Sequence, residues 1–143
     1  MRILFPAVLL FFAASVSGAA NNPWMRVCRI DEGQFQALKA GGEEVSVCFF
    51  GEAGIGAEAF FLFKTNSGST EAVQAYKNRN SSSPRGGVCG AFDAEPVQAK
   101  DSQGQVYNLC RFSDQSLIEE TTLWLGPGSA VSEGLDRALS KTY

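Results

Sequence analysis

From Val45 to Phe50 the chain alternates, with Val45, Val47 and Phe49 on one face and Ser46, Cys48 and Phe50 on the other. Both faces turn apolar towards the end, which predicts a strand over 43–50 that is covered on both sides. Upstream, residues 34–39 place Phe35, Ala37 and Lys39 on one face, and Ala40-Gly41-Gly42 supplies a turn, so the two segments predict a β-hairpin. Residues 51–56 break the pattern. The aromatic run over 59–64, with Phe60, Phe61 and Phe63, predicts a third strand. Asn22-Pro23, an N-cap followed by a proline at the first helical position, predicts a short helix to about Arg29. Residues 70–77 have the capping residue and spacing of another helix.

The second half repeats this order. Residues 96–100, the turn Asp101-Ser102-Gln103-Gly104, a strand over 105–112 and a third strand over 119–125 follow one another until Gly126-Pro127-Gly128 intervenes. Residues 131–141 then predict a helix with Leu135 and Leu139 on one face. Pro23 and Pro84 each stand five residues before a cysteine, Cys28 and Cys89, and each of these is followed by another, Cys48 and Cys110. Sliding residues 31–77 by 62 positions gives nine identities, among them Gln36 on Gln98, Ala37 on Ala99 and Cys48 on Cys110. Average residue usage would give about three. The expected fold is therefore α+β, a duplicated three-stranded antiparallel meander with short flanking helices, stapled by disulfides. The expected units are a first repeat over 21–77, a linker over 78–87 and a second repeat over 88–143, the two meanders joining one sheet or packing face to face.

The N-terminus carries Arg2, an apolar run over 3–14 and a small-residue stretch ending Gly18-Ala19-Ala20, the pattern of a secretory signal peptide over 1–20. The run is shorter than the roughly twenty residues that span a membrane. A soluble exported protein, periplasmic or secreted, is expected, with no stable membrane insertion. Removing Arg2 from the 12 basic residues leaves 11 against 15 acidic ones, a net charge near −4. That balance, with only Lys77, Arg79 and Arg85 approaching a cluster, argues against nucleic acid as a partner. Four cysteines in an exported chain imply two disulfides with three possible pairings. Duplication favours Cys28 with Cys48 and Cys89 with Cys110.

The second half also resembles a known family. Cys110-x-Phe112-x-Asp114-x-Ser116 with Glu119-Glu120, and the opening Asn22-Pro23 before Cys28 with Gly41-Gly42, are similar to a family of small exported bacterial domains of unknown function, many of which carry a haemolysin label. That family's pattern runs Cys-x-Phe-x-Asp-Gly-Ser-x-Cys-Glu-Glu-Trp. Here Gln115 replaces the glycine, Ile118 the further cysteine and Thr121 the tryptophan. The resemblance implies two diverged tandem copies, a compartment and a domain size, but no chemistry.

The chain has no histidine, which removes Ser/His/Asp triads, histidine acid–base catalysis and the usual zinc sites. No cofactor and no metal are expected. A carboxylate pair could still serve glycan or cell-wall hydrolysis, and Asp114, Glu119 and Glu120 are the most concentrated acids. Adjacent residues of a strand point to opposite faces, so a solvated surface is the plainer reading of Glu119 and Glu120. Calcium ligation by Asp114, Ser116 and Glu120 lacks a full ligand loop. Asn80-Ser81-Ser82 is formally a glycosylation sequon, in a stretch more simply read as linker. Phe60, Phe61, Phe63 and Trp124 could form an aromatic platform, with core packing the plainer reading. The function expected is a non-enzymatic binding module, an inhibitor or immunity protein for an enzyme of the cell envelope. Its partner is a protein in the envelope or outside the cell, met through an acidic turn surface at Glu52, Asp114, Glu119 and Glu120.

Overall fold

The computed structural model describes residues 22–79 and 86–143. The leader over 1–20, the sequon at Asn80 and most of the expected linker lie outside the described residues.

The element order is α1 (Pro23–Ile30), β1 (Gln34–Ala40), β2 (Glu43–Phe50), β3 (Ala53–Gly56), α2 (Ala57–Lys64), α3 (Glu71–Asn78), α4 (Gly87–Ala91), β4 (Glu95–Lys100), β5 (Val106–Arg111), β6 (Leu117–Glu119), α5 (Glu120–Leu125) and α6 (Glu133–Leu139). One helix, three strands and two helices thus occur twice. Helix α1 starts as its sequence demands: Asn22 Oδ1 accepts from the amides of Trp24 at 2.9 Å and Met25 at 3.4 Å. The two-residue turn Gly41-Gly42 joins β1 to β2, and Gly41 is needed there because its φ is +63°.

Each trio of strands is an antiparallel meander, but the two neither remain separate nor stack. They join at both ends into a closed six-stranded barrel of order β1-β2-β3-β6-β5-β4. Closure leaves no unpaired sheet edge, the physical reason two short meanders gain by merging.

The seams join counterpart residues of the two halves. Cys48 pairs with Ile55 as Cys110 pairs with Ile118, and Ile55 pairs with Ile118 across the β3–β6 seam. Phe35 pairs with Cys48 as Pro96 pairs with Cys110, which makes Lys39 the counterpart of Lys100; these two pair across the β1–β4 seam. Counterparts stand 61 residues apart in β1 and β4, 62 in β2 and β5, and 63 in β3 and β6, because each strand connection of the second half is one residue longer. A uniform slide of 62 therefore sets β1 one residue out of register, and Gln36 matches Val97 rather than Gln98.

The expected third strands are helices. Residues 59–64 belong to α2 and residues 120–125 to α5, while the third strands are the short Ala53–Gly56 and Leu117–Glu119 just before them. Two of the glycines that read as a break serve close packing: a Cβ on Gly54 would lie 2.6 Å from the Phe49 ring and one on Gly56 3.0 Å from the Leu117 carbonyl oxygen. The aromatic residues of α2 are placed by burial rather than by strand propensity. Phe60 is fully buried, and Phe61 and Phe63 pack against the same cluster. Trp124, expected to share that core, is instead 58 % exposed on α5.

Strand alternation divides the core in two. Val45, Val47, Phe49, Leu109 and Leu117 face the barrel interior with Leu38 and Ala99. Cys48, Phe50, Ile55, Cys110, Phe112 and Ile118 face outwards and pack beneath the helices. Disulfides Cys28–Cys48 and Cys89–Cys110 tie α1 to β2 and α4 to β5, each within its own half. A loop of about twenty residues closed in this way contributes about 3 kcal/mol in the chain-entropy account. Among the described residues no helix is long and apolar enough to cross a membrane.

Candidate functional site

An open cleft of about 790 Å³ lies between the end of α1, the β2–β3 turn and α6. Ile30, Phe50, Val131 and Ala138 supply its apolar surface, and Glu32, Glu52 and Glu133 stand in it with the cations Arg137 and Lys141. Helix α6 lies close on β2, since a Cβ on Gly134 would come 3.1 Å from the Phe50 Cβ.

Glu32 sits on a turn that lies against the first disulfide, and Glu52 on the tight turn between β2 and β3. Glu32 occupies the α1–β1 turn with φ +66°. The next amide, of Gly33, donates to the Cys28 carbonyl at 2.9 Å, and a Cβ on Gly33 would lie 2.5 Å from Cys48 Sγ. Only glycine lets the turn lie against the disulfide. Glu52 occupies the two-residue turn that joins Phe50 to Ala53, with Gly51 at φ +65°. Both carboxylates are exposed, and neither has a polar partner among the described residues. Glu133, by contrast, pairs with Arg137 at 3.1 Å on the surface of α6.

Behind the cleft lies a buried cation. Lys64, 1 % exposed, donates from Nζ to the carbonyls of Ala138 at 2.8 Å and Lys141 at 2.5 Å and pairs with Asp31 at 3.2 Å. Its ammonium thereby caps the C-terminal end of α6, where the helix dipole favours a cation. Asp31 also accepts from the Tyr143 hydroxyl at 2.6 Å. Burial, with the neighbouring Asp31, pushes the Tyr143 phenol up to about 12. One lysine and one aspartate thus fasten the segment at Tyr143 beside the cleft.

The other expected contact residues are dispersed. Asp114 and Ser116 cap helix α3 from the opposite half: the Glu71 amide donates to Asp114 Oδ2 at 2.8 Å and the Ala72 amide to Ser116 Oγ at 3.0 Å. Thr70 Oγ1 accepts from the Val73 amide at 3.5 Å, so the first three free amides of α3 are satisfied. Burial opposes ionisation of Asp114, but hydrogen bonds from the Glu71 amide and from Ser116 outweigh it and hold the carboxyl below the ordinary aspartate range. Glu119 caps α5, accepting from the amides of Thr121 at 2.9 Å and Thr122 at 2.7 Å and from the Thr122 hydroxyl at 2.7 Å. Thr122 Oγ1 in turn accepts from the Gly54 amide at 3.0 Å. Glu120 lies in the first turn of α5. Of the four expected residues, then, Glu52 lines the large cleft, Asp114 a different and smaller cavity, and Glu119 and Glu120 line neither.

No family model, no curated protein and no solved structure matches this chain. The site is therefore read from its own geometry. Residues that the sequence pattern passed over matter most in it. Glu32 is one residue in an ordinary acidic turn until the disulfide beneath it is seen, and Lys64 ends an aromatic run that reads as a strand. The available signal for Lys64 was helical spacing: Phe60 and Lys64 stand four apart, on one buried face of α2.

Proposed function

We propose that this protein is an exported, non-enzymatic binding module that inhibits or neutralises an envelope-acting enzyme through the cleft at Glu32 and Glu52. The observation that carries this reading is the mounting of two carboxylates without a polar partner among the described residues on tight turns, that of Glu32 packed on Cys28–Cys48, beside apolar surface from Ile30 and Phe50. Loops already fixed lose little entropy on binding. Free carboxylates at the edge of an apolar patch match a basic protruding segment of a partner, and they speed encounter with it. Two disulfides and the leader-like N-terminus support an oxidising compartment outside the cytoplasm. The resemblance to small exported domains fits the same compartment and size.

Asp114 and Glu119 are removed from the contact face on physical grounds, since their oxygens already cap α3 and α5. A pull-down from envelope extract, comparing the wild type with Glu52→Lys, tests the proposal. The partner is retained by the wild type and lost by the variant. Turnover of a cell-wall substrate, abolished by Glu52→Gln, would replace this reading with a carboxylate hydrolase that uses the same cleft.

A further inference from the structure

The two ends of the barrel interior are filled differently, although the halves that build them are counterparts. Phe49 and Arg111 occupy equivalent places: each lies one residue beyond the cysteine of its strand, Phe49 pairing with Gly54 and Arg111 with Leu117. Tyr107 and Val45 are likewise equivalent, three residues before those cysteines. In one position Phe49 stacks on Tyr107 with ring centroids 5.3 Å apart and closes the interior. In the other, Arg111 and Val45 stand where the two rings would be, and a cavity of about 250 Å³ opens between them, Leu117 and Glu58.

Arg111 follows Leu109 at strand spacing and Glu43 precedes Val45 in the same way, so both line the interior face at this end. They meet in an ion pair of 3.3 Å between the Arg111 guanidinium and Glu43. The Arg111 Nε is buried and has no hydrogen-bond partner. A buried donor left unpaired costs about 1–3 kcal/mol. At the opposite end the Phe49 and Tyr107 rings take these places instead.

We infer that this barrel mouth is a binding site for a neutral polyhydroxylated ligand, a single sugar ring or the end residue of a glycan. Charge selects that class. Arg111 is the one cation among the described residues lining the cavity, against Glu43, Glu44, Glu58 and Asp114. An anion would meet a negative surround, and a cation would be repelled by the Arg111 guanidinium. A polyol supplies acceptors to the Arg111 guanidinium and hydroxyl donors to the carboxylates, and the half-buried indole of Trp24 on the cavity wall offers apolar surface to a ring. The mouth of a β-barrel is a common place for such a pocket. This site is separate from the Glu52 cleft, and its fate does not depend on the partner proposed there.

The test is titration of the disulfide-intact, isotope-labelled protein with glucose and with N-acetylglucosamine, up to about 100 mM so that a weak site fills, followed by amide chemical shifts. Saturable shifts at Val45, Arg111 and Leu117 are expected, with binding at least about tenfold weaker in Arg111→Met and in Glu58→Gln. Glu58 is exposed on the first turn of α2, so its variant keeps the test open if Arg111→Met fails to fold. Three results would overturn the inference: no saturable shift with either sugar, binding unaffected by both substitutions, or tighter binding of sulfate or of arginine methyl ester than of either sugar.

Discussion

Ile55 of β3 pairs directly with Ile118 of β6, and each is the counterpart of the other in its own half. Both are fully buried under the helices. The β3–β6 seam thus rests on one cross-strand pair of equivalent residues, and the opposite seam on the pair Lys39 and Lys100. Neither half can close the barrel by itself, so the two should unfold as one unit. Ile55→Ala and Ile118→Ala are each expected to cost about 3 kcal/mol, with a non-additive double variant because the side chains share one packing site. Urea denaturation followed by tryptophan fluorescence and by far-UV circular dichroism checks this. Coincident transitions are expected; two separate transitions would show independently folded halves.

Lys64→Met should destabilise the protein by about 3 kcal/mol, because it leaves Asp31 and the carbonyls of Ala138 and Lys141 without their buried cation. The Tyr143 amide, which donates to the Lys64 carbonyl at 2.8 Å, is expected to exchange its hydrogen faster in the variant than in the wild type. Equal exchange in both proteins would show that Lys64 does not hold the segment at Tyr143.

Asp114 contributes a pH-dependent part of the stability. Its folded pKa is lowered, so the native state binds fewer protons than the unfolded state as the carboxyl titrates. The contribution is complete above the ordinary aspartate range and is lost as pH falls through the lowered folded value. Asp114→Ala should therefore cost about 1 kcal/mol near neutrality, the usual cost of replacing a cap by alanine, and the difference from the wild type should shrink in acid. Thermal melts across that range test it. A constant difference at every pH would remove the cap as the cause.

Gly33→Ala should destabilise through contact rather than through backbone strain, since the added methyl would meet both disulfide sulfurs, at 2.5 Å and 2.9 Å. Reducing the wild type and the variant should bring their stabilities closer together. A gap that is unchanged after reduction would place the strain elsewhere.

Much of the local structure was legible in the sequence. Asn22-Pro23 marked the start of α1, Gly41-Gly42 the first hairpin, and the alternation over 43–50 the strand with two covered faces. The disulfide pairing followed from the duplication. The third strands were hidden for a tertiary reason: Gly54 makes room for the Phe49 ring, and a glycine kept for close approach looks in a sequence like a break. Barrel closure rests on pairs such as Ile55 with Ile118, a relationship between distant segments that no local pattern records. The acidic surface misled for a similar reason. Asp114 and Glu119 stand in turns as solvated acids do, but the amides they accept from belong to helices that folding brings to them or starts beside them.

The central claim is that the cleft at Glu32 and Glu52 is the contact face. Its most direct test is the affinity of the captured partner for a Glu32→Lys, Glu52→Lys double variant, measured at several salt concentrations. Because these side chains are exposed and unpartnered, stability should change by less than about 0.5 kcal/mol. Affinity should fall at least about tenfold, with a weaker dependence on salt. Unchanged affinity in a folded double variant would contradict the account.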